Sequence, residues 1–178
     1  ASYGTIYRSK DGGVNWEIIL GSGNNVNSDL AMTQTGLMIA VVGGEDQTIF
    51  RSESAGESWV DITPLDFPTD YLRLVPDISA SNDSIVYVIG NRNNNDEEHL
   101  LWKYRHQDDV NTAWTDLSKN LPNSFNSQSG YDLYVRISPF DTNFVFIGGT
   151  NAYYSTDGLS TSSKTFQFRG YGRDDHHP

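Results

Sequence analysis

The chain has no cysteine in its 178 residues, so neither a disulfide framework nor a thiolate metal site is available. Lys and Arg number only 12 against 23 Asp and Glu, giving a net charge of −11. The basic residues are scattered, and without a clustered positive surface nucleic acid is set aside as a partner. No apolar run approaches the ~20 residues that a bilayer-spanning helix needs. The opening "ASYGTIYRSK" lacks the basic start and apolar middle of a secretory signal. Apolar stripes at helical spacing are also missing, which excludes helical solenoids.

What the chain does hold is aromatic and turn-forming. Aromatics make up 12% of residues, ten of them Tyr, beside 16 Gly and abundant Asn and Ser. Gly and Asn tolerate positive φ while Tyr, Val and Ile suit pleated surfaces, so the composition reads as all-β. A unit of strands recurs. First comes an alternating strand, "DLAMT" (29–33), "YLRLVPDIS" (71–79) or "YDLYVRIS" (131–138). After a polar turn follows a nearly continuous apolar strand, "LMIAVVG", "SIVYVIG" or "NFVFIGG", then an aromatic-rich one, "TIFRS", "LLWKY" or "AYYS". A short last strand follows a Trp, as in "WEIIL", "WVDIT" and "WTDLS".

Between the third and fourth strands lies a signature. "YRSKDGGVNW" places Ser9, Asp11, Gly13 and Trp16 at offsets that suit a chain reversal. The Asp carboxylate can accept from the turn's own N–H groups, Gly supplies a left-handed backbone, and Trp is expected to bury its ring against the strands of its own sheet. "FRSESAGESW" repeats Ser52, Gly56 and Trp59, with Ser54 in the Asp place. "QDDVNTAW" keeps Asp109 and Trp114, with Asn111 expected in the left-handed place. A fourth copy keeps Ser155 and Asp157, with Phe166 a candidate for the Trp role. Trp16 to Trp59 is 43 residues and Trp59 to Trp114 is 55, the excess lying in the polar insertion "NRNNNDEEH" (91–99).

This S-x-D-x-G-x-x-W pattern resembles the Asp-box, or BNR repeat, of sialidases, xyloglucan-cleaving glycosidases, sortilin-type receptors and secreted bacterial propellers. With the strand repeat it implies a β-propeller fragment of about three and a half four-stranded antiparallel blades with Asp-box hairpins. A β-sandwich is the alternative. The expected division is a half blade over 1–20, blades over 26–64, 70–120 and 130–169, and the start of a further blade or a tail over 170–178. Closed rings typically have about four to eight blades, so further blades of the same polypeptide or a complementing chain are expected.

In propellers the innermost strands line the central channel, and their starts commonly open onto the ligand-binding face. Asp29, Asp70 and Asp132 are the candidate catalytic carboxylates; Tyr71, Arg73, Tyr131 and Arg136 are the candidate binding residues. All read equally well as solvated or backbone-bonded strand-start groups. The sialidase resemblance implies an arginine triad, a Tyr nucleophile with an acidic partner and an Asp acid. Arg73 and Arg136 could enter such a triad, but no F/Y-R-I-P-like segment precedes the first box. The xyloglucan-cleaving group implies two Asp residues across a cleft, which no local motif assigns. No cofactor is expected, although the acidic loop 94–99 offers oxygen ligands for Ca²⁺ without the spacing of a dedicated calcium loop. Asp175 and His177 in "RDDHHP" are candidate metal ligands, and Asn82-Asp83-Ser84 fits a glycosylation acceptor.

The run "GYDLYVRISPFDTNFVFIGGTNAYYSTDG" resembles those of large secreted proteins of gliding or gut-dwelling bacteria. An extracellular or cell-surface setting is therefore expected, with a role as a glycan- or protein-binding, adhesive scaffold. The rivals are part of a glycoside hydrolase and a structural subunit of a larger assembly.

Overall fold

The computed structural model of the chain describes residues 4–21, 23, 27–42, 48–92, 98–106 and 110–167. Each alternating, apolar or aromatic run becomes a strand, and consecutive strands pair antiparallel. β1 (Thr5–Arg8) and β2 (Glu17–Gly21) form a hairpin. A first four-stranded sheet holds β3 (Ser28–Met32), β4 (Met38–Val42), β5 (Thr48–Ser52) and β6 (Val60–Asp61). The second holds β7 (Tyr71–Ile78), β8 (Ile85–Arg92), β9 (His99–Arg105) and β10 (Trp114–Asp116). The third holds β11 (Tyr134–Ile137), β12 (Val145–Gly148), β13 (Ala152–Ser155) and β14 (Thr165–Gln167). No helix among the described residues is long and apolar enough to cross a membrane.

The continuous apolar runs follow from burial on both faces. In β8, Val86 and Val88 enter one core with Ile39, Val41 and Ile49 of the first four-stranded sheet. The alternate residues Tyr87 and Ile89 enter another with Val135, Val145 and Ile147 of the third. Side chains on a strand alternate faces, so a strand held between two neighbouring sheets needs apolar residues at every position. A further core joins Ile6 of the hairpin to Ala40 and Val42. Successive sheets thus enclose successive cores, whereas a sandwich encloses one interior between two sheets.

Polar groups lock the sheets together. The Tyr87 hydroxyl donates to Gly158 O at 2.9 Å, and Asn120 Nδ2 donates to Leu159 O at 2.8 Å. Asp77 Oδ2 accepts from Ile137 N at 2.7 Å, while Arg136 Nη1 donates to Asp77 Oδ1 at 3.3 Å. Burial raises the Asp77 carboxyl above its ordinary range despite the opposing pull of the Ile137 N–H and Arg136.

Two expectations need correction. Trp16 is not buried in its own sheet but 63% exposed, because its hairpin has only two strands and its ring rests against Gly13, to whose carbonyl Nε1 donates at 2.9 Å. Trp59 is half-buried, and Trp114 is buried with its Nε1 donating to Ile62 O. The third reversal is one α-helical turn over Val110–Ala113, so Asn111 is right-handed there rather than left-handed.

Candidate functional site

Three reversals share one hydrogen-bonding scheme. Ser9 Oγ accepts from Gly13 N at 2.7 Å, Ser52 Oγ from Gly56 N at 2.9 Å and Ser155 Oγ from Leu159 N at 2.9 Å. Each pair is preceded by a residue that is also left-handed: Gly12 before Gly13, Ala55 before Gly56, Gly158 before Leu159. Asp11 Oδ1 then accepts from Asn15 N at 2.8 Å, and Ser54 Oγ from Ser58 N at 2.9 Å. The Asn15 backbone and side-chain bonds, with that of Ser9, hold the Asp11 carboxyl down to about 2. Asp157 is also lowered, because bonds from Thr161 and Ser155 outweigh the opposing effect of burial. Asp109 lies outside the described residues. Phe166 does not take the Trp place: it pairs with Tyr154, as Val60 pairs with Arg51 and Glu17 with Arg8, one position beyond Trp59 and Trp16. These turns bind their own backbone and leave little for a ligand.

The opposite ends of the sheets carry the candidate catalytic and binding residues except Arg136, which lies toward the turn end, in register with Phe146 and through it Tyr154. Asp29 is half-buried in β3, its Oδ1 accepting from Leu30 N at 2.8 Å. Asp70 precedes β7 and pairs with Arg92, whose Nε lies 3.1 Å from Asp70 Oδ2 and 3.5 Å from Glu98 Oε2. Tyr71 packs its ring on Phe67, and burial pushes its phenol up. Arg73 Nη1 donates to Gly130 O at 2.8 Å and Tyr131 O at 3.1 Å. Tyr131 is 74% exposed. Asp132 sits in the turn before β11, its N–H donating to Ser127 O at 3.1 Å and its buried Oδ2 without a partner among the described residues. Arg136 is engaged by Asp77 and by Val135 O. Loop residues 94–97, Asp175 and His177 lie outside the described residues.

Beside these strand starts, at the head of β9 and the foot of β10, opens a cleft of about 360 Å³. Trp102, Phe125, Pro68 and Pro122 give it apolar walls; Arg92, Glu98, His99, Asp116, Lys119 and Asn123 give it polar ones. His99 Nε2 is 2.7 Å from Ser127 Oγ, and its ring meets Phe125 edge-on at 4.7 Å. Asp116 Oδ1 accepts from Ser118 N at 2.8 Å and from Ser118 Oγ at 2.5 Å, which fixes the turn leaving β10. Behind His99, its cross-strand neighbour Asn91 is fully buried with neither amide atom partnered among the described residues.

A family model described as the DUF6242 beta propeller domain matches residues 1–166. The chain belongs to this family. Its all-β, four-stranded antiparallel sheets are β-propeller blades, as the strand repeat predicts. No curated protein sequence matches it. The GH74 xyloglucanase from Xanthomonas campestris aligns with 85% of this chain and 24% of its own, at 17% identity and a TM-score of 0.58. The GH74 enzyme from Niastella koreensis aligns with 90% of this chain and 26% of its own, at 17% identity and a TM-score of 0.58. YCF48 bound to a D1 peptide aligns with 94% and 47%, at 19% identity and a TM-score of 0.54. The DUF6242 propeller chain therefore spans about a quarter of the two GH74 enzymes and about half of YCF48. At these identities the likeness is one of fold.

In this DUF6242 propeller the cleft lies beside the strand starts, its walls coming from Pro68, the end of β8, β9, β10 and the connection over 117–133. The available signal is that connection's length, since a long segment between regular strands is where binding groups concentrate.

Proposed function

We propose that the chain is a segment of a secreted or cell-surface propeller of the Asp-box class, serving as a scaffold that binds glycan or protein. The shared scheme of the turns at Ser9, Ser52 and Ser155 supports the Asp-box reading. The observation that carries the binding role is the cleft: apolar and aromatic walls with convergent polar groups, beside the Asp70–Arg92 pair and Arg73, all engaged within the protein. Asp70 is held in an ion pair by Arg92. Further blades of the same polypeptide would cover the outer faces, where Tyr7, Trp16 and Ile18 stand exposed on the hairpin and Phe144, Tyr154 and Phe166 stack on the last sheet.

The second reading, a share in a glycoside hydrolase, is favoured by one feature, the buried and unpartnered Oδ2 of Asp132. A glycan array probed with the chain, run beside a reducing-end hydrolysis assay on the same glycans, separates the two. Binding without product release is expected. Release abolished by Asp132→Asn would establish the hydrolase instead, and absence of both would leave protein partners.

A further inference from the structure

The charges around the cleft are balanced and largely engaged. Arg92 lies between Asp70 and Glu98, so its guanidinium has little left for an incoming anion. Asp116 is bonded to Ser118, and Arg73, near the wall, to backbone carbonyls. Lys119 is the remaining wall cation, and it is exposed. A phosphate, sulfate or carboxylate ligand needs uncompensated donors of positive charge, typically in a bidentate fork. The wall offers a neutral mixture of single donors and acceptors instead.

The other half of the wall is apolar. Trp102, only 5% exposed, forms part of it, and its indole N–H, a donor with no acceptor role, has no partner among the described residues. The half-buried Pro68 and Pro122 extend the apolar surface, with Phe125 buried behind it at 4% exposure. A sugar ring presents a C–H face to such a surface and a rim of hydroxyls, each both donor and acceptor, to groups such as Asn123, Asp116 and Lys119. A volume of 360 Å³ sits at the low end of the roughly 300–1,000 Å³ usual for small-molecule sites, which suits a short saccharide.

We infer that the cleft walled by Trp102, Phe125, Asp116, Lys119 and Asn123 is a subsite for a neutral saccharide and discriminates against carboxylated sugars. This rests on the glycan-binding reading above. The test is calorimetric titration of the chain with cellotriose, xylotriose, mannotriose, maltotriose and tri-N-acetylchitotriose, against 3'-sialyllactose and trigalacturonic acid. The expected result is binding of at least one neutral trisaccharide, at least about tenfold weaker binding of both acidic ones, and about a fivefold loss in the surface variant Asn123→Ala, the effect of one hydrogen bond. Lys119→Ala, equally exposed, serves as a second variant, with folding checked by circular dichroism. Preference for an acidic sugar overturns the inference and leaves glycan binding standing. Neutral binding untouched by both variants removes it from this cleft. No binding by any saccharide overturns the inference and the glycan reading together.

Discussion

Leu159 donates its backbone N–H to Ser155 Oγ at 2.9 Å from a left-handed conformation, φ 57°, that Gly13 and Gly56 adopt in the equivalent turns. A left-handed non-glycine residue costs roughly 1–2 kcal/mol. Leu159 holds it because its side chain is fully buried in the core between the second and third four-stranded sheets, a contribution of about 1.5–3 kcal/mol. Leu159→Ala loses the packing and keeps the strain, and is expected to cost about 2–5 kcal/mol. Leu159→Gly loses the same packing but relieves the strain, so it should be the milder change by about 1 kcal/mol. Urea denaturation of both variants decides; the reverse ranking contradicts the strain argument.

The three turn serines should differ by burial. Ser52 and Ser155 are buried, whereas Ser9 is half-exposed. Alanine at 52 or 155 leaves a buried N–H without an acceptor and is expected to cost about 1–3 kcal/mol, against at most about 1 kcal/mol at Ser9, where water can replace the hydroxyl. Equal losses at all three sites would mean that burial does not set the value of the bond.

Asp77 predicts a contrast between two substitutions. Asp77→Ala leaves the Ile137 N–H unpaired between two sheets and is expected to lower stability by about 1–3 kcal/mol. Asp77→Asn keeps an acceptor and removes a charge that burial disfavours. Because the folded carboxyl is raised, its ionisation works against the fold as pH climbs above the unfolded value. Asp77→Asn should therefore be no less stable than the parent at pH 7. A loss equal to that of Asp77→Ala would show that the Arg136 ion pair dominates.

The sheets were legible because their pattern is enforced twice over: β8 must be apolar at successive positions to serve two cores, and the Ser and Gly of the first two turns answer to backbone geometry alone. Leu159 was not legible as a glycine substitute, since its tolerance depends on a core assembled from residues distant in sequence. The exposure of Trp16 and the helical turn at 110–113 likewise depend on what packs nearby rather than on the local motif. Sequence alone marks the candidate catalytic and binding residues only by their place on the inner strands. The engagement of Arg73 by Gly130 and Tyr131, and the cleft on the 117–133 connection, arise from contacts between sheets that spacing does not encode.

Acid should act on the first turn through Asp11. Its folded carboxyl is held at about 2 against an ordinary 3.8, so its contribution is fully present above the unfolded value and is lost as pH falls from there through about 2. Asp11→Asn should be less stable than the parent at pH 6, with the gap closing across that window. Urea midpoints of both proteins at several pH values check this; a gap constant down to pH 2 contradicts it.

The most direct measurement is a ¹H–¹⁵N correlation titration of the labelled chain with the neutral trisaccharides. The account predicts that the Trp102 indole N–H and the Asn123 side-chain amide shift together and saturably, while the indole N–H signals of Trp16 and Trp114, already bonded to Gly13 and Ile62, stay in place. Shifts confined to Tyr131 and Asp132 at the start of the last inner strand, or no shifts at all, would contradict it.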